Sequence, residues 1–150
     1  ATFLTYMGLI DVRGFEKIEV SSIPWVVTEA NHNLKDEVIR LELQKHVKII
    51  NAEKKLVEVS YHNLSNVDRA LLQTCVERKN ECVLITDDGL LAKVADKHHV
   101  LVLTTPAYLE FLAKNKQVDK IRVLEWLNSL HARYHRVKTI EKTIDRVKKI

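Results

Sequence analysis

The stretch over residues 82–103 constrains the fold more than any other, because two short apolar runs flank a helical segment there. Asp87 and Asp88 directly follow the first run, and the helix is expected to begin at Gly89. Ligands bind at the carboxyl ends of strands in open α/β sheets, so these two carboxylates are placed to hold a divalent cation. The alternative is that Asp88 caps the helix and Asp87 is a solvated turn residue.

The alternation of apolar strand-like runs with helical periodicity continues along the chain. Residues 17–22 alternate as an exposed strand does, Pro24 suits the first turn of a helix, and a second helix over residues 34–45 leads into a strand over residues 46–50. Residues 55–61 form either a short strand or an extended connection. We therefore expect an α/β fold with three layers, α/β/α, and a mainly parallel central sheet with right-handed crossovers.

Composition limits the class of protein. The chain has 150 residues, of which 46% are hydrophobic and 29% are charged, as expected for one soluble domain. No apolar run approaches the ~20 residues of a membrane span, and the start lacks the pattern of a secretory signal, so we expect a cytoplasmic protein that does not contact membranes. The two cysteines, Cys75 and Cys82, fit buried free thiols better than a disulfide framework or a zinc ribbon.

Positive charge is concentrated near the C-terminus. Residues 1–116 hold 15 basic and 16 acidic side chains, whereas residues 117–150 hold 9 and 4. We expect residues 1–116 to form the α/β domain and residues 117–150 to form a basic, amphipathic, helical extension. Apolar residues from Leu130 to Ile150 recur every three or four positions, so one stripe packs either on its own domain or on a second subunit.

Basic residues of this extension are candidate contacts to nucleic acid. Arg133, Arg136 and Lys138 would bind the phosphate backbone next to an acidic cleft, and the alternative is a solubilising helix surface. His131 and His135 are four residues apart, as in zinc-binding helices. No third ligand is close in sequence, and the neighbouring arginines favour a phosphate-binding face instead.

Two further acids can meet Asp88. Glu29 lies in the helix that starts at Pro24, and Asp68 comes three residues after Ser65, which is the expected N-cap of the next helix. That helix precedes the strand near residue 82, so Asp68 can face the same crevice as Asp88 in a wound α/β sheet. Capping also gives Asp68 a purely structural role.

These segments resemble the motifs of PIN-domain nucleases, a family that includes the VapC-type toxins. IPWVVTEA resembles the family's helix in which a proline is followed by an acid, which carries that role to Glu29. VDRALL resembles the D-x-x-L-L helix and points to Asp68. LITDDGLLAKVA resembles the strand that ends in T-x-D, which places Thr86 and Asp88 in the site with Asp87 as an extra acid. The resemblance covers roughly residues 1–115.

The family also begins with a strand that ends in an acid, followed by a small residue and a serine or threonine. ATFLTYMGLI resembles the segment directly after that acid. The resemblance therefore implies an aspartate immediately before Ala1 and places Thr2 in the site. It also implies that residues 1–116 form a PIN-like domain without its first strand.

The activity implied by the resemblance is divalent-metal-dependent endonucleolytic cleavage of RNA. Clustered carboxylates repel one another unless a cation neutralises them, and Mg²⁺ or Mn²⁺ prefers such oxygen ligands. The implied catalytic metal ligands are Glu29, Asp68 and Asp88, and Asp87 is one further ligand. Thr2 and Thr86 would supply supporting hydroxyls.

RNA is the expected partner, with an antitoxin protein and a second copy of the chain as further candidates. The alternative function is that of a non-catalytic PIN-like subunit that binds RNA or assists assembly. An incomplete acid cluster would favour this alternative, because a metal needs the full ligand set to act.

Overall fold

Helices account for 66% of the described residues and strands for 7%, in a computed structural model that describes residues 1–51, 63–78 and 80–150. The expected strand or connection over residues 55–61 lies outside the described residues. None of the described helices is long and apolar enough to cross a bilayer. In chain order the elements are α1 (Thr2–Asp11), a 3-10 helix (Val12–Lys17), β1 (Val20–Ser22), α2 (Pro24–Asn33), α3 (Glu37–His46), β2 (Val47–Ile49), α4 (Asn66–Glu77), β3 (Leu84–Ile85), α5 (Gly89–Lys97), β4 (Val102–Leu103), α6 (Thr105–Lys114), α7 (Lys120–His131) and α8 (Val137–Lys148).

The strands form two separate sheets of two strands each. β1 pairs in parallel with β2, with Val20 opposite Val47, and β3 pairs in parallel with β4, with Leu84 opposite Val102. The prediction of a three-layer α/β/α fold around one mainly parallel central sheet is therefore wrong. The described chain is mostly helical, and its strands are only two or three residues long.

Residues of both sheets line a cavity of about 350 Å³, among them Ser21 of β1 and Ile85 of β3. Among the described residues, no strand pairs with both sheets. Part of an apolar run that predicted a longer strand instead helps to end a helix. The backbone N–H of Val100 donates to the carbonyl of Ala95 at the end of α5 (3.0 Å).

Helix boundaries follow local sequence signals closely. Pro24 is the first residue of α2, where its missing N–H costs nothing. Ser65 caps α4 by accepting a hydrogen bond from the backbone N–H of Asp68 (3.1 Å), and Thr104 caps α6 in the same way. His99 follows α5 with a φ of 60°, in the left-handed conformation that commonly ends a helix.

Two apolar cores hold the elements together. The larger core includes residues from α1, α2 and α6 together with the two C-terminal helices, and the smaller core joins α4 and α5 to β3 and β4. Trp126 of α7 and Ile140 of α8 are almost fully buried in the larger core. Along the predicted C-terminal stripe, Val137 and Ile150 are the exposed exceptions.

Gly14 allows close packing beneath the indole of Trp126. A Cβ atom at this position would lie 2.7 Å from Cζ2 of Trp126 and 3.2 Å from Cε of Met7. The buried ring cannot move without disturbing its neighbours, so Gly14→Ala is expected to lower the free energy of unfolding by about 1–3 kcal/mol in urea titrations.

Gly8→Ala is a matched control for this substitution. Its Cβ would meet the flexible end of the Leu34 side chain at 2.9 Å, and alanine favours the α1 helix by about 1 kcal/mol over glycine. The loss of stability should therefore be smaller at Gly8 than at Gly14. Equal stability of Gly14→Ala and the wild-type protein would contradict the proposed packing constraint.

Candidate functional site

Three helices carry the predicted acids toward one region of the molecule. Glu29 lies on α2, Asp68 lies in the first turn of α4, and Asp88 caps α5. α4 packs against both α2 and α5. Burial raises the pKa of Asp68, and the negative charges of Asp88 and Glu29 raise it further, while the hydrogen bond with Ser65 opposes the shift. Asp68 is therefore close enough to both Asp88 and Glu29 for their charges to act on it.

The first residue of the sequence lies near the same acids. The charges of Glu29, Asp68 and Asp87 all act on the nitrogen of Ala1. Thr2, the predicted supporting hydroxyl, follows directly as the first residue of α1 and is exposed. The acids thus lie near the start of α1.

The acids nevertheless do not form a compact set of metal ligands. Among the described residues, the only three His, Cys, Asp or Glu side chains with ligand atoms within 4.8 Å of one another belong to a different group, Glu16, Glu42 and His46. Metal–oxygen distances are about 2.0–2.6 Å for Mg²⁺ and Ca²⁺, so ligands of one ion must come closer together than the predicted acids do. The charges of Glu29 and Asp88 act on Asp68, but the three carboxylates are not arranged to coordinate one metal ion.

Asp88 has a structural role that the sequence also allowed. Its Oδ1 accepts hydrogen bonds from the backbone N–H groups of Leu90 (2.8 Å) and Leu91 (3.0 Å), which caps α5. Thr86 supports the turn, because its Oγ1 accepts a hydrogen bond from the backbone N–H of Asp88 (3.1 Å). Both cap bonds use Oδ1, so Oδ2 of this exposed carboxylate takes no part in the cap.

Asp87 is held by three hydrogen bonds from distant parts of the chain. Its Oδ1 accepts from the backbone N–H of Thr105 (2.8 Å) and from the Tyr134 hydroxyl (2.7 Å), and its Oδ2 accepts from the Thr105 hydroxyl (2.5 Å). Burial and the hydrogen bond to Asp87 raise the pKa of Tyr134. Asp87 is therefore not a solvated turn residue. It joins β3 to the start of α6 and to the connection between α7 and α8.

Tyr134 and Thr105 were not predicted as partners of the acids. Tyr134 appeared in the sequence only as part of an apolar stripe, and Thr105 only as part of a helix start. They lie 47 and 18 residues from Asp87, and no local spacing signals contacts of that length.

The basic residues predicted to contact nucleic acid lie next to this network. Arg133, Arg136 and Lys138 are all exposed, and they flank the short connection between α7 and α8 that holds Tyr134. Arg136 is close enough to Tyr134 for its charge to oppose the rise in the pKa of that phenol. A basic surface therefore lies beside Asp87.

The histidines considered for zinc point to separate partners. Nε2 of His131 lies 3.3 Å from Oε1 of Glu141 on α8, and the ring of His135 contacts the ring of Tyr134 with a centroid separation of 5.0 Å. Within the described part of the chain, no close group of three ligands includes either histidine.

The close group on α3 and the 3-10 helix was missed in the sequence. Nε2 of His46 lies 3.5 Å from Oε2 of Glu42 and 3.7 Å from Oε1 of Glu16, and Nζ of Lys45 lies 3.1 Å from Oε1 of Glu42. The hydrogen bond from Lys45 lowers the pKa of Glu42. The spacing of Glu42 and His46, four apart on one helix, was the available signal, whereas the contribution of Glu16 depends on tertiary packing. This surface group is already neutralised in part by Lys45.

Comparisons with known proteins provide no family for the chain. No protein-family model, no curated protein and no solved structure matches it. Membership of the PIN-domain family is thus supported only by the motif resemblance.

Proposed function

We propose that the protein is a divalent-metal-dependent nuclease that cleaves RNA at the acid cluster formed by Glu29, Asp68 and Asp88. The supporting observation is that the negative charges of Glu29 and Asp88, from two other helices, both act on Asp68 and raise its pKa. Like charges held close together are costly, and a divalent cation is a partner that offsets this cost. Mg²⁺ or Mn²⁺ would polarise the scissile phosphate and lower the pKa of a bound water.

Each acid has a separable role in this proposal. Asp88 offers Oδ2 as a ligand while Oδ1 keeps the helix cap. Asp68 would gain from a cation, because its pKa is raised by burial and by the charges of both neighbours. Glu29 is exposed at the edge of the cluster and would orient the attacking water. The acids must approach one another when the ion binds.

The basic residues around the connection between α7 and α8 would bind RNA phosphates outside the cleavage site. Arg133, Arg136 and Lys138 offer exposed positive charge beside Asp87, and a phosphate backbone that lies on this surface would pass close to the acid cluster. Such contacts supply affinity without sequence specificity. RNA binding should therefore weaken as the salt concentration rises.

A non-catalytic RNA-binding subunit is the second candidate function. It is favoured by the separation of the acids, which do not fall within 4.8 Å of one another as a group among the described residues. The basic surface would then act alone, and cation binding would not be needed.

RNA cleavage by the purified protein distinguishes the two candidates. We expect single-stranded or structured RNA to be cut in the presence of Mn²⁺ or Mg²⁺ and to remain intact in EDTA. His46→Ala serves as a control, because it removes the other potential cation-binding group without touching the acid cluster, and it should cut as the wild-type protein does. RNA that is bound but never cut in any metal would support the binding subunit and overturn the nuclease proposal.

A further inference from the structure

The two cysteines of the chain meet at the turn between α4 and β3. The backbone N–H of Cys82 donates to the carbonyl of Arg78 (3.1 Å), which returns the chain toward the end of α4. As a result, Sγ of Cys82 lies 3.9 Å from the backbone carbonyl oxygen of Cys75. The side chain of Cys82 is also close enough to Cys75 to contribute to the raised pKa of that thiol.

The two thiols differ in their access to solvent. Cys75 is only 7% exposed, whereas Cys82 is half-buried, and both line the cavity between the two sheets. A small oxidant can therefore reach Cys82, while larger reagents are excluded from Cys75. Neither cysteine belongs to the acid cluster or to the basic surface.

We propose that Cys75 and Cys82 form a reversible intramolecular disulfide when the protein meets hydrogen peroxide. In the first step the Cys82 thiolate attacks one peroxide oxygen, so an S–O bond forms, the O–O bond breaks, and the leaving hydroxide takes up a proton as water. In the second step Cys75 attacks the sulfenic sulfur, its thiol proton leaves with the hydroxide as water, and the S–S bond replaces the S–O bond. Two thiols and one peroxide give one disulfide and two waters.

The protonation of Cys75 fits the order of these steps. Burial, with the nearby Cys82, raises the pKa of the Cys75 thiol to about 12, so Cys75 stays protonated at neutral pH. A protonated, buried thiol reacts slowly with peroxide, and Cys82 is the more exposed sulfur, so Cys82 is the one that is oxidised first. Cys75 then acts as the resolving thiol from within the cavity wall.

The disulfide would link two elements of the candidate site. α4 carries Asp68 at its first turn and Cys75 near its last turn, and the residues after Cys82 form β3 and lead to Asp88. Reversible disulfides of this kind serve as redox sensors in reducing compartments.

Intact-protein and peptide mass spectrometry test the proposal without any assay of activity. After brief treatment with dilute hydrogen peroxide, the wild-type protein should lose two hydrogen atoms in mass, lose both of the thiols that react with maleimide after denaturation, and regain them with dithiothreitol. Cys75→Ser should instead gain oxygen at Cys82 as a sulfenic acid that dimedone traps. Cys82→Ser should keep Cys75 as a free thiol.

Three results would overturn the proposal: accumulation of sulfinic acid at Cys82 while Cys75 stays reduced in the wild-type protein, a disulfide between two chains, and no reaction. Far-UV circular dichroism confirms that each variant is folded. If Cys75→Ser does not fold, Cys75→Ala replaces it, since alanine leaves no polar group in the core.

Discussion

Asp87→Ala is expected to lower the free energy of unfolding by about 3–5 kcal/mol, measured by urea or thermal unfolding. The substitution leaves the backbone N–H and hydroxyl of Thr105 and the hydroxyl of Tyr134 without their shared acceptor. Thr105 is fully buried and Tyr134 is 3% exposed, so water cannot easily replace the lost carboxylate. Each buried donor left without an acceptor costs about 1–3 kcal/mol.

Two matched variants separate the contributions to this network. Asp87→Asn keeps one acceptor oxygen for Thr105 and Tyr134, so it should cost less than alanine, about 1–2 kcal/mol. Tyr134→Phe removes one donor and leaves the bonds from Thr105 in place, for a cost of about 1 kcal/mol. If Asp87→Ala were no less stable than Asp87→Asn, the network would not hold the C-terminal helices in place.

The network also predicts a dependence on alkaline pH. The pKa of Tyr134 is raised in the folded protein, so its stabilising contribution is complete below the ordinary phenol pKa of about 10 and is lost as the pH rises through the higher folded value. The wild-type protein should therefore lose stability more steeply above about pH 10 than Tyr134→Phe does.

Local features of the fold could be predicted from the sequence, whereas the arrangement of the sheets could not. Pro24 and Ser65 mark helix starts through chemistry that acts within one turn, and the structure places α2 and α4 accordingly. The apolar run before Asp87 predicted a longer strand than the two residues of β3, because such a run does not specify which partner its backbone will pair with. Whether strands merge into one sheet depends on a neighbour at each edge, and among the described residues no strand pairs with both β1 and β3.

The candidate site shows the same division between local and long-range information. Capping by Asp88 was the alternative that the sequence allowed, because a cap depends only on residues that follow within three positions, and the structure shows this cap. The charges of Glu29 and Asp88 both act on Asp68, but sequence could not set the distances between these side chains. The role of Asp87 could not be predicted, since its partners Thr105 and Tyr134 are supplied by other helices.

Asp88→Asn is expected to reduce metal-dependent RNA cleavage by about 100-fold or more while the protein stays folded. Asparagine keeps an oxygen that accepts the bonds from Leu90 and Leu91, so the cap of α5 survives and only the charge is lost. Asp88→Ala removes the cap as well and should cost about 1 kcal/mol of stability. Comparing the two variants separates loss of activity from loss of structure.

Asp68→Asn provides the complementary test of the acid cluster. Because the pKa of Asp68 is raised in the folded protein, its ionised form is disfavoured there, and stability is lost as the pH rises through the folded pKa. An amide at this position removes the repulsion from Asp88 and Glu29, so the variant should unfold at the same or a higher temperature than the wild-type protein at neutral pH in the absence of metal. The RNA cleavage rate of Asp68→Asn should fall as far as that of Asp88→Asn. An acid that is needed for activity can lower the stability of the folded protein. If either asparagine variant cut RNA as fast as the wild-type protein, the acid cluster would not be the catalytic site, because cleavage would not need the charge of its ligands.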